Sequence, residues 1–249
     1  MHQFFVSSGM IDVDNKTVTI TGTDVNHIKN VLRMKPGEEF SVSTGEDSKE
    51  YRCAIREFLK DSVDCELRFI KEDNVELPSK IYLFQGLAKG DKMETVIQKA
   101  VELGVYEIIP VTMDRCVMKL DEKKISSRIA RWQAIAEAAA KQSKRAIIPR
   151  VCEPMSFKNA VEYAKDIDVK LIPYEMAEGM SHTRDIISGI KQGESVGIII
   201  GPEGGISEGE IELAGKKGFE TVTLGKRILR TETAGMTVLS ILMYHLERD

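Results

Sequence analysis

Long apolar runs are missing from this sequence. None approaches the roughly 18 consecutive apolar residues of a membrane span, and the short apolar stretch at the N-terminus is soon followed by Asp12 and Asp14. This pattern differs from that of a signal peptide. We also find no internal repeat and no low-complexity segment. We therefore expect a cytoplasmic protein with no membrane partner.

The spacing of cysteine and histidine is also uninformative for metal chemistry. The four cysteines are Cys53, Cys65, Cys116 and Cys152, and no two of them are in C-x-x-C spacing. The internal histidines His27, His182 and His245 are scattered and adjoin no nucleophile or ligand set. We expect structural thiols in a reducing compartment and no metal site.

An overall excess of basic charge is absent, since the net charge is −4. A protein that coats nucleic acid without sequence preference is therefore not expected. The charge is unevenly spread, however, because residues 115–150 contain ten Lys or Arg against three acidic residues. Such a stripe suits a phosphate backbone, but it is equally compatible with a solvated helix face. Charge alone leaves both interpretations open.

Two kinds of hydrophobic period divide the 249 residues. Residues 1–74 show the two-residue period of half-buried strands around one helix predicted at 24–33, with Asp24 as its N-cap. A small β-barrel with one helix is expected there. The segment 72–79 breaks the alternation and is interpreted as a linker. Residues 75–249 then alternate strands with helices, which predicts a mostly parallel α/β sheet covered on both faces. The last predicted helix, over about 233–247, has almost no polar face, which suggests burial by the sheet or by a second subunit.

Two glycine-marked turns near the C-terminus are the strongest functional signal. The first, Ile200–Gly205, follows the apolar strand predicted at Val196–Ile200 and precedes a capping box at Ser207–Glu210. The second, Leu224–Gly235, also follows a β-branched run and leads into the last helix. Glycine lets the backbone approach a ligand, and a helix N-terminus offers free N–H donors. We therefore expect both turns to contribute to one ligand site.

Three ligand classes compete for these turns. A Walker A loop is excluded because no Gly-Lys-Ser/Thr precedes the helix. A dinucleotide fold requires its glycines after the first strand of the domain and an acid at the end of the next strand. Here the turn is late and Glu220 begins a strand. A neutral or cationic adenosyl ligand held by backbone groups fits the turns better.

Five motifs in order resemble the ribosomal RNA small subunit methyltransferase E family of the SPOUT class. They are the stretches Asn26–Met34, Leu87–Glu94 with Gln98–Val105, Gln142–Arg145, Ile200–Gly205 and Leu224–Ala234. The resemblance implies an N-terminal PUA-like, RNA-binding β-barrel (1–74) and a C-terminal α/β trefoil-knot methyltransferase domain (75–249). It also implies a homodimer that uses S-adenosylmethionine to methylate N3 of a uridine, at position 1498, in 16S rRNA of the small ribosomal subunit. The N-terminus departs from the family, because Met1–Phe5 contains no arginine where the family often has two.

The resemblance also implies the residues of the site. The cofactor would be bound by three loops, through Ile172, Pro173, Tyr174, Gly201, Pro202, Glu203, Gly204, Leu224, Gly225, Ile228, Leu229, Arg230, Thr233 and Ala234. Arg230 is expected to stabilise the uracil anion, and Glu232 is a candidate base. Glu203 or Glu232 would face the sulfonium. Without the family, Glu232 would be interpreted as a first-turn carboxylate and Thr231 or Thr233 as a helix cap.

The basic side chains, together with the neutral amide of Gln142, then become candidates for RNA contacts. They are Lys29, Arg33 and Lys35 on the N-terminal domain, and Arg128, Arg131, Gln142 and Arg145 in the basic stripe. Two other functions stay open: an RNA-binding or ribosome-assembly factor that keeps a cofactor pocket without turnover, and a transfer RNA methyltransferase of the same class.

Overall fold

The chain divides into two compact units in the computed structural model, which describes residues 1–72, 75–118, 122–177 and 179–247. Unit 1 comprises Met1–Glu76 and Ala140–Ile148, and unit 2 comprises Leu77–Ala139 and Pro149–Asp249. The predicted boundary after residue 74 falls at residues outside those described. The sequence did not indicate that 140–148 group with the first unit. Within the described ranges, no helix has the length and apolar character needed to cross a bilayer.

Unit 1 is built on a six-stranded sheet with the order β1-β4-β5-β6-β3-β2. The pair β1 and β4 is parallel, and the other neighbours are antiparallel. One face is apolar because side chains alternate along each strand, and it forms a core that includes Phe40, Val18 and Val63. The strands are β1 (Gln3–Phe5), β2 (Ile11–Asp12), β3 (Thr17–Thr21), β4 (Glu39–Ser43), β5 (Glu50–Phe58) and β6 (Ser62–Lys71).

The helix of unit 1 differs from the prediction at both ends. The observed helix is α1 (Thr23–Asn26), which continues into a π-helical turn at His27–Val31. A separate 3₁₀ turn at Ser8–Met10 lies before β2. Gly22, not Asp24, is the N-cap, with a φ of 73° and no side-chain cap bond. The prediction of Asp24 as N-cap was wrong, because the left-handed glycine starts the helix earlier and Asp24 becomes a first-turn residue.

Unit 2 is an α/β unit with a sheet of seven parallel strands. The strand order is β10-β8-β7-β12-β11-β13, with β9 paired to β8. The strands are β7 (Ile81–Gly86), β8 (Glu107–Thr112), β9 (Arg150–Val151), β10 (Met155–Ser156), β11 (Val169–Pro173), β12 (Val196–Ile200) and β13 (Glu220–Val222). The helices are α2 (Lys92–Glu102), α3 (Glu122–Ser143), α4 (Phe157–Tyr163) with a 3₁₀ turn at Ala164–Asp166, α5 (Met180–Gly189), α6 (Glu208–Lys216) and α7 (Thr231–Leu246).

Two predicted elements around the first glycine turn are confirmed. Strand β12 is buried at all of its residues, as its unbroken apolar run predicts. Helix α6 begins with the predicted capping box, in which the Ser207 hydroxyl accepts from the Glu210 amide and the Glu210 carboxylate accepts from the Ser207 amide. This cap fixes where the chain leaves the turn.

The last helix, α7, is buried on one face only. Its buried residues include Val238, Leu239 and Leu242. Ile241 is 36% exposed and Tyr244 is 87% exposed. The rest of unit 2 therefore covers one side of α7, although this helix is apolar on more than one side.

Candidate functional site

Three loops meet at the carboxyl ends of three adjacent strands in unit 2. Strand β11 pairs with β12 on one side and with β13 on the other. The chain leaves β11 at Pro173, β12 at Ile200 and β13 at Val222. Because parallel strands present their carboxyl ends at the same edge, the loops that follow are neighbours. The sheet topology thus places both predicted glycine turns at one edge.

These loops enclose a cleft of about 960 Å³. Most of the predicted cofactor residues line it: Pro173, Tyr174, Gly201, Pro202, Glu203, Gly204, Leu224, Gly225, Ile228, Leu229, Arg230 and Ala234. Lys92, Arg115 and Thr231 line it as well and were not predicted. Lys92 lies in a motif quoted for the family resemblance, so a signal for it was present in the sequence.

Three predicted site residues lie outside this lining. Ile172 is 1% exposed and packs in the core. Thr233 is exposed on the first turn of α7. Glu232 is half-buried, and its Oε2 is buried without a hydrogen-bond partner among the described residues. A buried carboxylate oxygen without a donor is costly, so this atom is available to a proton or a cation.

A buried glutamine connects the loops and was not found from the sequence. Gln85, at the end of β7, is fully buried and donates from Nε2 to the Thr231 hydroxyl at 2.9 Å. Thr231 in turn donates to the carbonyl oxygen of Gly201 at 2.6 Å. This chain of hydrogen bonds holds the first residue of α7 against the first glycine turn. No sequence motif predicts it, because the partners are far apart along the chain.

Two glycines allow close backbone passage at the site. A Cβ on Gly86 would lie 2.6 Å from the Pro202 nitrogen, and one on Gly204 would lie 2.7 Å from the Arg115 carbonyl oxygen. Any larger residue would therefore push backbone against backbone. The sequence predicted glycine at Gly204 for approach to a ligand, whereas the close neighbour in the structure is the Arg115 backbone. The requirement at Gly86 is set by a strand end that the sequence did not mark.

The two candidate carboxylates are in different electrostatic settings. Glu203 Oε1 accepts from Lys92 Nζ at 2.8 Å and from the Lys89 amide at 3.1 Å. Burial acts to raise the pKa of Glu203, but the hydrogen bond from Lys92 and further hydrogen bonds and charge outweigh it and hold the pKa below its ordinary value. Glu203 is thus an ionised, already paired group. Of the two, Glu232 has the carboxylate oxygen without a partner in the described structure.

The predicted RNA contacts fall in both units. In unit 1, Lys29, Arg33, Lys35 and Gln142 are exposed, and in unit 2, Arg128 and Arg131 are exposed. The guanidinium of Arg131 is paired with Glu94, with Nε 2.7 Å from Oε1. Lys119, also in the basic stripe, lies outside the described residues. The exposed cations other than Arg131 can meet solvent or phosphate.

Arg145 has a different environment from the other cations. It is 3% exposed, and its Nε donates to Glu76 Oε2 at 3.0 Å within unit 1. Its backbone carbonyl accepts from the amide of Gln3 at 2.9 Å. The side chain therefore does not present a charge at the surface in this structure. Sequence alone cannot distinguish such a buried cation from its exposed neighbours in one basic run.

Family models match both units. A model described as an RNA methyltransferase domain matches residues 75–243, and one described as an RNA methyltransferase PUA domain matches residues 20–68. The ribosomal RNA small subunit methyltransferase E of Bacillus subtilis (strain 168) is 38% identical over 99% of this chain and 98% of its own length. The chain belongs to the ribosomal RNA small subunit methyltransferase E family.

Other members of the methyltransferase E family agree in sequence and fold. The protein of that name from Mesomycoplasma hyopneumoniae (strain 232) is 34% identical over 96% of this chain and 98% of its own length. A crystal structure of ribosomal RNA small subunit methyltransferase E from Neisseria gonorrhoeae, described as bound to S-adenosyl methionine, has a TM-score of 0.84 and 31% identity. It covers 98% of this chain and 97% of that one. The predicted fold class, a PUA-like N-terminal domain and a mostly parallel α/β methyltransferase domain, is confirmed.

The thiols of this family member are structural where they are buried. Burial raises the pKa of Cys53, Cys65 and Cys152 to about 12. Among the described residues, no group of three or more His, Cys, Asp or Glu side chains is arranged to hold a metal ion.

Proposed function

We propose that this chain transfers a methyl group from S-adenosylmethionine to N3 of a uridine in 16S rRNA of the small ribosomal subunit, at position 1498, in the cytoplasm. One observation carries the proposal. The two glycine turns and the loop after β11 form one cleft in a protein of the methyltransferase E family, one member of which is described as bound to S-adenosyl methionine.

The cleft has the chemistry that an adenosyl cofactor requires. Backbone amides and carbonyls of the Gly201–Gly205 turn supply polar contacts, and Leu224, Ile228 and Leu229 supply apolar surface for adenine. A sulfonium is a cation, and the cleft is lined by the paired carboxylate of Glu203. The partly unpaired carboxylate of Glu232 lies in the first turn of α7, outside that lining. These residues would hold the cofactor, which supplies an electrophilic methyl group when bound.

Arg230 is proposed to stabilise the charge that develops on the uracil. Uridine N3 carries a proton and has a poor lone pair, so the base must become anionic, with charge on O2 and O4, before it attacks. Arg230 is exposed, lines the cleft and precedes the first turn of α7. A guanidinium there can donate two hydrogen bonds to the uracil edge.

Glu232 is proposed to accept the N3 proton. Its buried Oε2 lacks a donor in the described structure, so proton uptake would satisfy an atom that is otherwise unpaired. Glu203 is less suited to this task because its carboxylate is paired with Lys92.

The RNA is proposed to contact exposed cations on both units. Lys29, Arg33 and Lys35 of unit 1 and Arg128 of unit 2 have the exposure that phosphate contacts need. Gln142 adds an exposed amide, and Arg131 would exchange Glu94 for a phosphate. Arg145 is left out of this set because it is buried and paired with Glu76.

We further infer a homodimer and a trefoil knot, as the family resemblance implies. Support for the dimer comes from the outer face of α7, where Ile241 and Tyr244 are exposed. The knot rests on the family resemblance alone. A sedimentation mass of one chain at micromolar concentration would contradict the dimer, and an experimental structure whose backbone traces an unthreaded path would contradict the knot.

Methyl transfer to isolated small subunits tests the activity. Subunits from a strain that lacks the gene are incubated with the protein and tritiated S-adenosylmethionine, and the modified nucleotide is mapped by primer-extension arrest. A methyl group at N3 blocks base pairing, so we expect one new stop at the proposed uridine. Cofactor binding without transfer to any rRNA would favour a ribosome-assembly factor instead. Transfer to transfer RNA alone would favour a transfer RNA methyltransferase of the same class.

A further inference from the structure

Unit 1 contains a second cavity, far along the chain from the glycine turns. It has a volume of about 240 Å³ and is lined by strands β1, β4, β5 and β6 together with Lys144. All of these residues belong to unit 1. The cavity lies on the sheet face opposite the core, because its strand residues alternate with buried apolar ones such as Phe4 and Val42.

A continuous row of side chains crosses this face. Gln3 is paired with Ser41, Ser41 with Arg52, and Arg52 with Phe69. Residues in directly paired positions project from the same side of a sheet. The row therefore runs from an amide through a hydroxyl and a guanidinium to an aromatic ring.

The aromatic end of the row is open to solvent. Phe69 is 54% exposed, and the Arg52 guanidinium carbon lies 5.7 Å from the centre of its ring. An exposed phenylalanine on a sheet, with an arginine stacked beside it, provides the kind of surface on which unpaired bases stack. Burial of this ring by the protein itself would have been favourable, and the fold leaves it exposed.

The other end of the row supplies hydrogen-bonding groups. The Gln3 amide nitrogen donates to Ser43 Oγ at 3.2 Å and to the Arg145 carbonyl at 2.9 Å. Among the described residues, no hydrogen-bond donor meets the amide oxygen of Gln3. Glu50 Oε1 accepts hydrogen bonds from both the Arg52 guanidinium and the Ser41 hydroxyl. The other Glu50 oxygen has no contact of this kind in the described structure, so it can accept from an amino or imino group of a base.

The charge around the cavity favours a nucleotide rather than a protein partner. Arg52, Lys71 and Lys144 line it against one carboxylate, that of Glu50. Lys71 is directly paired with Glu50 across the strands, and both lysines are exposed. A bare phosphate would meet the Glu50 carboxylate, whereas a nucleotide can direct its base inward and its phosphate to the lysines.

We propose that this cavity and Phe69 form a binding site for an unpaired nucleotide of the substrate RNA. The base stacks on Phe69 and Arg52, its edge meets Gln3 and Glu50, and Lys71 and Lys144 contact the adjoining phosphate. The choice of RNA as the ligand rests on the proposed function, but the site uses none of the residues of the methyl-transfer cleft. It is also separate from the Lys29, Arg33 and Lys35 set.

RNA binding by two pairs of matched variants tests the site. Phe69→Ala is compared with Leu59→Ala, which truncates another exposed apolar side chain of unit 1, and Lys71→Glu is compared with Lys60→Glu. A short fluorescein-labelled single-stranded RNA of mixed sequence and purified small subunits are the two probes. We expect Phe69→Ala to weaken binding of the single strand about 5- to 100-fold. Lys71→Glu should lower the salt slope by about 0.7 per lost phosphate contact.

Three outcomes decide whether this face binds an unpaired nucleotide or not. Phe69→Tyr should restore binding, and duplex RNA should not distinguish Phe69→Ala from wild type, because its bases are already stacked. Equal affinities for each variant and its control, with both probes, would overturn the site, including the case of a protein partner on this face.

Cofactor affinity and methyl transfer are measured alongside. We expect Phe69→Ala to keep its affinity for S-adenosylmethionine and its rate at saturating subunits, with KM raised. If Phe69→Ala weakens RNA binding but the wild-type protein transfers no methyl group to any RNA, the proposed function is refuted and the nucleotide site is still supported.

Discussion

The side-chain hydroxyl of Thr231 is hydrogen-bonded to both Gln85 and Gly201. This hydroxyl accepts from Gln85 Nε2 at 2.9 Å and donates to the Gly201 carbonyl oxygen at 2.6 Å. Gln85 is fully buried. The start of α7, which carries the proposed catalytic residues, is therefore held to the glycine turn by a hydrogen-bonded side chain and not only by packing.

Thr231→Val should lower stability and cofactor affinity together. The substitution keeps the shape of the side chain but leaves a buried donor of Gln85 and the Gly201 carbonyl without their partner, at a cost of about 1–3 kcal/mol. Urea unfolding and calorimetric titration with S-adenosylmethionine measure the two effects. Thr237→Val is the matched control, because the Thr237 hydroxyl donates only to Thr233 within the same helix. If the Thr231 and Thr237 variants have the same stability and cofactor affinity, the Gln85–Thr231–Gly201 hydrogen bonds do not support the cofactor site.

Arg230→Ala should slow methyl transfer and leave cofactor binding nearly intact. By comparison with loss of one oxyanion donor, we expect a rate lower by about 10²-fold or more. Single-turnover methylation of small subunits measures it. Arg227→Ala, in the same loop and also lining the cleft, is the control and should lose much less. Single-turnover rates for Arg230→Ala within a few fold of wild type would exclude Arg230 from charge stabilisation.

Gly86→Ala should destabilise the second unit. The new methyl carbon would lie 2.6 Å from the backbone nitrogen of Pro202 and 3.0 Å from the carbonyl carbon of Gly201, and backbone atoms cannot move aside cheaply. Overpacking of this kind costs about 1–3 kcal/mol. Gly215→Ala in α6 meets nothing within 4 Å and should be neutral or stabilising by up to about 1 kcal/mol. Thermal unfolding of both variants checks the contrast, and an equal melting temperature would contradict it.

Arg145→Met should be strongly destabilising, and the loss should be partly recovered by a second substitution at Glu76. Both side chains are largely buried and form a two-point ion pair. Removing one partner leaves a buried charge, at a cost of about 3–5 kcal/mol. The double variant with Glu76→Leu should unfold closer to wild type in urea. A single variant of unchanged stability but weaker RNA binding would instead indicate that Arg145 reaches a phosphate.

The thiols should differ in reactivity in the native protein. Burial raises the pKa of Cys53, Cys65 and Cys152 to about 12, so these groups stay protonated at pH 8. Cys116 is only half-buried, and its pKa is raised by burial as well. Alkylation at pH 8 followed by mass spectrometry should modify Cys116 first and slowly. The thiolate fraction of each cysteine increases as pH rises toward its pKa, so reactivity should increase with pH; fast labelling of Cys53 at pH 8 would contradict this burial.

Local order along the chain was predictable because it depends on neighbouring residues. The two-residue alternation in unit 1, the buried strand Val196–Ile200 and the capping box at Ser207 all appear in the structure where their patterns place them. The motifs also identified the family, since their order along the chain is part of the sequence. The N-cap at Gly22 was missed because Asp24 offers the commoner capping side chain two residues later.

The contacts that assemble the site were decided by the tertiary structure alone. Gln85 meets Thr231, Gly86 passes Pro202, and Arg145 pairs with Glu76 across long separations in sequence, and none of these residues carries a local pattern that names its partner. A basic run reveals that charges are present but not which of them is buried. Periodicity determined which faces are apolar; only the order of strands in the sheet decided which loops became neighbours, because parallel strands bring together loops that the chain itself keeps apart.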